Sequence, residues 1–248
     1  MRAKVWLLVG LLMLTGSIVS ADEVDDVLAS KVKGRDKIHR ISGEWTVKTT
    51  QPTVGGKLKN PKTLKMKYRL AMEKLPPSAV KHVQQPWKIE AEIIEPLPMR
   101  LRVEGEQVWF LDQYGIWNEM PLTPEIQEQF STMGERFMGA DPASQKRHYA
   151  IKILRKNRPW LGPSTTTVEF VPKGKSLLVG RREEDINTDG LPLETRIFGE
   201  LGKPSVTIKV TKHRKVKGIP FVDEMESVSE TAAGRVESRT EAANVQVE

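Results

Sequence analysis

No group of residues in the sequence has both the types and the spacing of an acid–base or metal site. The four histidines, at positions 39, 82, 148 and 213, are far apart, and none has a second His at metal-ligand spacing. The sequence has no G-x-S-x-G elbow, no Walker A motif and no G-x-G-x-x-G turn. It also has no Cys, which excludes a thiolate nucleophile, a thiolate zinc site and a disulfide framework. We expect no enzymatic activity, no metal and no cofactor.

Two charged clusters are open to a functional and a simpler interpretation. The acidic cluster Glu183-Glu184-Asp185 could bind a divalent cation, but we favour a solvated strand end. The basic tract from Lys212 to Lys217 could contact anionic lipid headgroups or an acidic partner protein. Its simpler interpretation, which we favour, is a solvated hairpin end.

The first 21 residues have the order of a secretory signal peptide. A basic start precedes an apolar run from Val5 to Leu14, and Val19-Ser20-Ala21 places small residues where a signal peptidase cleaves. A membrane anchor is the alternative, but Gly10 and Thr15 to Ser17 interrupt the run well short of the ~20 residues of a span. Removing the segment lowers the formal net charge from +7 to +5. We predict an exported, soluble, periplasmic protein with one domain over residues 22–248, and without a Cys to carry a lipid.

Most of the chain alternates between apolar and polar residues, as half-buried strands do. An amphipathic helix, residues 22–34, comes first; later a Pro-led helix, residues 124–138, interrupts the strands. The predicted strands begin around Trp45 and cover 63–73, 87–93, 99–103, 108–111, 116–120, 149–153, 165–171, 176–179, 191–198, 206–210, 221–229 and 235–247. These strands and the two helices predict a mainly β (α+β) fold: one strongly curved antiparallel sheet that forms an incomplete barrel, with helices as a lid.

Large apolar residues, several of them Met, concentrate in the first strands and the second helix. They can be plain core, or they can line a cavity for an apolar ligand if the sheet is too large to fill its own concavity; periodicity alone favours the core. The candidate cavity residues are Trp45, Met66, Tyr68, Leu70, Trp87, Ile89, Leu101, Val103, Trp109, Phe110, Phe130 and Met133.

The order of these elements resembles the LolA-like family of outer-membrane lipoprotein-sorting carriers. The resemblance covers most of residues 23 to 247. It rests on the N-terminal helix running into GEWTVKT, and on RVEGEQVWFLDQYGIWNEMPL, residues 102–122. It also rests on GLPLETRIFGELGKPSVTIKV, residues 190–210, and on the terminal hairpin, residues 217–247. Each motif is short and degenerate, so the resemblance depends on their order, the export signal and the length.

The resemblance implies a periplasmic carrier that holds acyl chains of lipoproteins or lipids in an apolar cavity and shuttles them towards the outer membrane. It also implies an inner-membrane transporter, an outer-membrane acceptor and transient membrane contact, and we expect a monomer that binds no nucleic acid. Residues 75–86 and 155–164 look like extra loops. Arg69, Arg100 and Arg102 are all candidates for the family's lid-locking arginine, and we assign none.

Two other functions fit the sequence. The chain could be an envelope module that senses lipids or lipoproteins and regulates a stress response, although such domains usually carry a second domain. It could also be a structural envelope protein with a filled core.

Overall fold

The alternating segments form one large antiparallel sheet. The computed structural model describes residues 21–35, 37–51, 62–75, 87–96, 98–104, 107–112, 114–121, 142–158, 164–174, 180–199, 202–231 and 234–248. The predicted helix over 124–138, the predicted strand over 176–179 and all of the predicted signal peptide except Ala21 lie outside these residues.

The described strands are joined in the order β6-β5-β4-β3-β2-β1-β13-β12-β11-β10-β9-β8-β7, and the sheet does not close because β6 and β7 are its two edges. Pairing of β1 with β13 joins two meanders into one open half-barrel. The strands are β1 Arg40–Gln51, β2 Lys62–Lys74, β3 Trp87–Glu95, β4 Met99–Glu104, β5 Gln107–Leu111, β6 Trp117–Met120, β7 Tyr149–Asn157, β8 Thr165–Pro172, β9 Arg182–Asn187, β10 Pro192–Phe198, β11 Pro204–Val216, β12 Ile219–Thr231 and β13 Gly234–Val247. The described helices are α1 Ala21–Val32 and α2 Pro142–His148.

The two faces of the sheet differ in chemistry. Successive side chains of a strand point to opposite faces, so the register assigns each residue to one side. We define the inner face by Leu70 and Met72 of β2, which are almost fully buried. The outer face carries Arg69 and Glu73, which flank these two residues in sequence and are both exposed. The predicted half-buried sheet with one solvated face is confirmed.

Two apolar clusters stabilise the inner face. The larger one lies on β1 to β5 and the adjoining ends of β12 and β13, and it includes Ile41, Ile89 and Val103. The smaller one joins α1 to β7, β8 and β9, where Leu28 packs with Phe170. Helix α1 therefore lies over the second half of the sheet, on the inner face.

A glycine lets α1 approach the turn between β9 and β10. Gly190 has a φ of +77°, and a Cβ built there would lie 2.3 Å from the backbone oxygen of Ser30. Any other residue would be strained in this conformation and would also collide with the end of α1. The same glycine thus closes the turn and lets the end of the helix lie against it.

The structure corrects three details of the sequence interpretation. Strand β9, one of the thirteen described strands, was not among the predicted strands. Strand β7 continues to Asn157, so residues 155–157 belong to the sheet and not to an extra loop. Helix α2 was not predicted, and it begins at Pro142, consistent with the preference of Pro for the first helical position.

Candidate ligand-binding face

Most of the predicted cavity residues lie on the inner face of β1 to β5. Cross-strand neighbours form continuous apolar rows, such as Met72, Ile89, Val103 and Val108 across β2 to β5. The residues brought together in this way are Trp45, Met66, Tyr68, Leu70, Trp87, Ile89, Leu101, Val103 and Phe110. One side of the sheet can therefore present a single apolar surface.

The exposure of these residues divides them into two groups. Trp45, Leu70, Trp87, Ile89 and Val103 are buried and belong to the larger core cluster. Aromatic stacking adds to this packing, since the rings of Trp45 and Tyr68 lie 5.8 Å apart and nearly parallel. These buried residues are already surrounded by protein, so they support the surface and do not form its accessible part.

The accessible part is an apolar rim at one end of the same face. We define this apolar rim as Leu64, Met66 and Met99, whose side chains are 51%, 37% and 45% exposed. Partly buried Tyr68 and Ile93 connect the rim to the core, because Ile93 pairs with both Tyr68 and Met99. The rim and its neighbours are long, flexible or aromatic side chains that can adapt to apolar shapes.

One predicted residue, Trp109, does not contribute to this surface, and two others are not described. Trp109 pairs with Arg102 and lies on the outer face, where its ring is 5.7 Å from that guanidinium. Strand alternation makes this unavoidable once the adjacent Phe110 points inward. Phe130 and Met133 lie outside the described residues.

The three candidate lid-locking arginines are also on the outer face. Arg69 binds Glu44 at 2.7 Å, Arg100 binds Glu92 at 3.0 Å and Arg102 binds Glu104 at 2.8 Å. Hydrogen bonding to Arg69 lowers the pKa of Glu44 despite partial desolvation. These arginines line an outer groove of about 470 Å³ together with Trp117, and none faces the apolar surface.

One cluster of charged residues on the inner face lies beneath α1. Glu184 accepts contacts from Lys31 of α1 at 2.5 Å and from Arg182 Nε at 3.0 Å, and all three side chains are at most 16% exposed. The Arg182 guanidinium lies 4.4 Å from the Phe170 ring centre, and Lys31 Nζ lies 4.8 Å from it. We call these four residues the helix clamp, because they hold α1 against the sheet.

The acidic cluster is consequently not a solvated strand end. Its residues lie within β9 and alternate between the two faces. On the outer face, burial opposes ionisation of Asp185, but hydrogen bonds from Arg196 and Thr167 lower its pKa. Among the described residues, no three His, Asp or Glu side chains converge on a metal site. Arginines and Lys31 balance these carboxylates in the structure.

The basic tract is largely used within the protein as well. Lys212 and Arg214 both bind Asp223, and Arg214 also donates to the Ala242 carbonyl oxygen. His213 contacts the Pro192 carbonyl oxygen, and burial lowers its pKa. Only the end of the tract, Lys215 and Lys217, is exposed without a carboxylate partner among the described residues.

An open antiparallel half-barrel with an apolar inner face and a helix laid on it defines a LolA-like fold. Three solved structures are similar to the chain over nearly its whole length. A DUF1329 family protein from Desulfovibrio piger has a TM-score of 0.63, 13% identity and coverage of 90% of this chain and 91% of that one. A LolA superfamily protein from Nitrosomonas europaea has a TM-score of 0.61, 11% identity and coverage of 91% and 93%.

The third is a putative outer membrane lipoprotein-sorting protein domain from Vibrio parahaemolyticus, with a TM-score of 0.62, 10% identity and coverage of 90% and 92%. At these identities the likeness establishes the fold. No protein-family model and no curated protein matches the sequence. In the part of the chain that the structure describes, no helix is both long and apolar enough to cross a membrane.

Proposed function

We propose that the protein is a periplasmic carrier that binds acyl chains of lipoproteins or lipids on its inner face and delivers them towards the outer membrane. The observation that supports this most directly is the apolar rim. Its three large side chains remain exposed on the face of the sheet that carries the core. Exposing apolar side chains to water is unfavourable in free energy, and a bound apolar ligand covers them.

The binding energy comes from burial of the ligand's own methylenes, about 0.8 kcal/mol for each. A chain lying across the rim and onto Tyr68 and Ile93 can offset much of the energy that retains a single acyl chain in a bilayer. No covalent step is needed. Release requires a partner that offers another apolar site, and an inner-membrane transporter and an outer-membrane acceptor are the partners that this function implies.

The apolar rim should control affinity without controlling stability. In the double variant M66Q/M99Q, side chains of similar length lose their apolar character, and we expect a fluorescent fatty acid to bind at least tenfold more weakly. The urea midpoint should remain close to that of the wild type, because both residues are exposed. A titration by fluorescence, with a parallel unfolding curve, measures both quantities.

A matched control removes two exposed apolar residues from the outer face. Trp117 and Val171 are 47% and 39% exposed, and W117Q/V171Q should leave fatty acid affinity unchanged. The same control tests the outer groove, which Trp117 lines. If the outer-face variant weakens binding and the rim variant does not, the proposed inner-face site is wrong.

A further inference from the structure

We propose that one end of the sheet, which we call the basic end, docks the protein on membranes rich in anionic lipids. We define the basic end by five exposed cations: Lys33, Lys37, Arg40, Lys215 and Lys217. The inference deepens the proposed function and rests on it, since a carrier of acyl chains must meet a membrane. The protein meets the membrane through the basic end and not through the apolar rim.

Three chain segments converge to build the basic end: the turn after α1, the start of β1 and the turn between β11 and β12. Arg35 in the first segment donates to the Pro220 carbonyl oxygen at 3.2 Å. Lys215 is the cross-strand partner of Pro220, which places it beside this contact. Lys74 Nζ, from the neighbouring β2, lies 3.4 Å from the Arg35 carbonyl oxygen. The cations are thus neighbours in the fold although they are distant in sequence.

The basic end has a local excess of positive charge. Among the described residues, none of its five cations lies within 4.0 Å of a carboxylate. The carboxylates nearby in the fold are Glu73, whose backbone pairs with that of Arg40, and Glu248, whose backbone oxygen accepts from His39 and Arg40. Asp36 is also adjacent in sequence.

This excess contrasts with the outer face, where cations and carboxylates alternate. In β11, Lys212 and Arg214 are both paired with Asp223, whereas Lys215 of the same strand has no carboxylate partner among the described residues. Internally paired cations have little attraction left for another surface, whereas unpaired ones retain it. Among the described residues, the unpaired cations of the basic tract are therefore Lys215 and Lys217. They belong to the same basic end as Lys33 and Lys37.

The surface chemistry favours a membrane over a protein partner. Protein interfaces depend on a few large anchors that become buried, but at this end Ile38 and Phe221 are already buried, and Val216 and Ile219 are packed against the same core. Four of the five cations are Lys, a hydrated point charge suited to diffuse attraction. Lysines near an anionic bilayer act additively and need no shaped pocket.

Docking through the basic end leaves the apolar rim accessible. Leu64 and Lys74 mark opposite ends of β2, so the rim is about 30 Å from the basic end at the usual rise of a strand. A membrane bound at one end does not cover the other. The rim can then exchange an acyl chain with a protein partner while the carrier is held at the bilayer.

Vesicle flotation tests the proposal with the full chain. We expect the wild type to bind vesicles that contain phosphatidylglycerol, to ignore pure phosphatidylcholine, and to dissociate as salt increases. The variant K33Q/K37Q/K215Q should bind about a hundredfold more weakly, from about fivefold per cation. The control K152Q/K203Q/K209Q removes three exposed lysines elsewhere and changes the net charge equally, so it should remain close to the wild type.

Equal loss of binding in the two triple variants would overturn the proposal, because net charge alone would then explain the attraction. Failure of the wild type to bind anionic vesicles would also overturn it, and binding of polyglutamate instead would indicate an acidic protein partner. Fatty acid affinity of the basic-end variant, measured in solution, separates the two proposals. If fatty acid binding is absent while vesicle binding still depends on the three lysines, only the carrier function fails.

Discussion

Replacing Glu184 with Gln should lower the free energy of unfolding by about 3 kcal/mol or more. The Glu184 carboxylate is the only described anion paired with Lys31 and Arg182, and its side chain is 10% exposed. The variant leaves two cations beneath α1 without a compensating charge. Breaking one partner of a buried ion pair usually costs about 3–5 kcal/mol, whereas exposed pairs contribute up to about 1 kcal/mol. Urea denaturation followed by circular dichroism measures the change.

The exposed pair of Glu237 with Arg235 provides the control. Both side chains are 59% exposed at 2.9 Å, so E237Q should change stability by less than about 1 kcal/mol. Replacing both ends of the Lys31 contact, in K31M/E184L, should recover only part of the loss, because it removes one of the two uncompensated cations and leaves Arg182 buried. Equal destabilisation by E184Q and E237Q would show that the helix clamp does not hold α1.

The second large effect concerns the core beneath the proposed binding surface. Ile89 is 0% exposed at the centre of the larger cluster, between Met72 and Val103. Ile89→Ala removes three buried carbon atoms and leaves a cavity, so we expect a loss of about 2–5 kcal/mol. Chemical denaturation at constant pH measures this loss, and the slope with denaturant should stay unchanged.

Met99 is the comparison, since it lies on the same inner face and is 45% exposed. Met99→Ala should cost less than about 1 kcal/mol. The pair of variants therefore separates residues that support the sheet from residues that a ligand can reach. Similar losses for Ile89→Ala and Met99→Ala would mean that the rim is packed as core, leaving no exposed surface for an acyl chain.

Much of the sheet could be predicted because alternation is a local signal. In β2, apolar Leu64 to Met72 alternate with charged residues, and the structure places the two sets on opposite faces. The same rule, applied to adjacent Trp109 and Phe110, would have assigned them to different faces. The prediction that both line the cavity treated aromatic character as sufficient and neglected the periodicity.

Strand β9 could not be predicted from the sequence. Its inner residues Arg182 and Glu184 are charged, so the segment lacks the apolar alternation that marks a half-buried strand. They are buried because Lys31, 153 positions away from Glu184, completes the ion pairs. A partner so distant in sequence leaves no local pattern. The same limit applies to the basic end, which only the fold assembles.

Native mass spectrometry of the protein purified from cell envelopes can detect an acyl chain held on the inner face. We predict a population heavier than the polypeptide by the mass of a lipid or acylated fragment. Added fatty acid should displace this ligand, and M66Q/M99Q should carry less of it. A protein that carries no ligand and acquires none from added fatty acid would show that the inner face does not bind acyl chains.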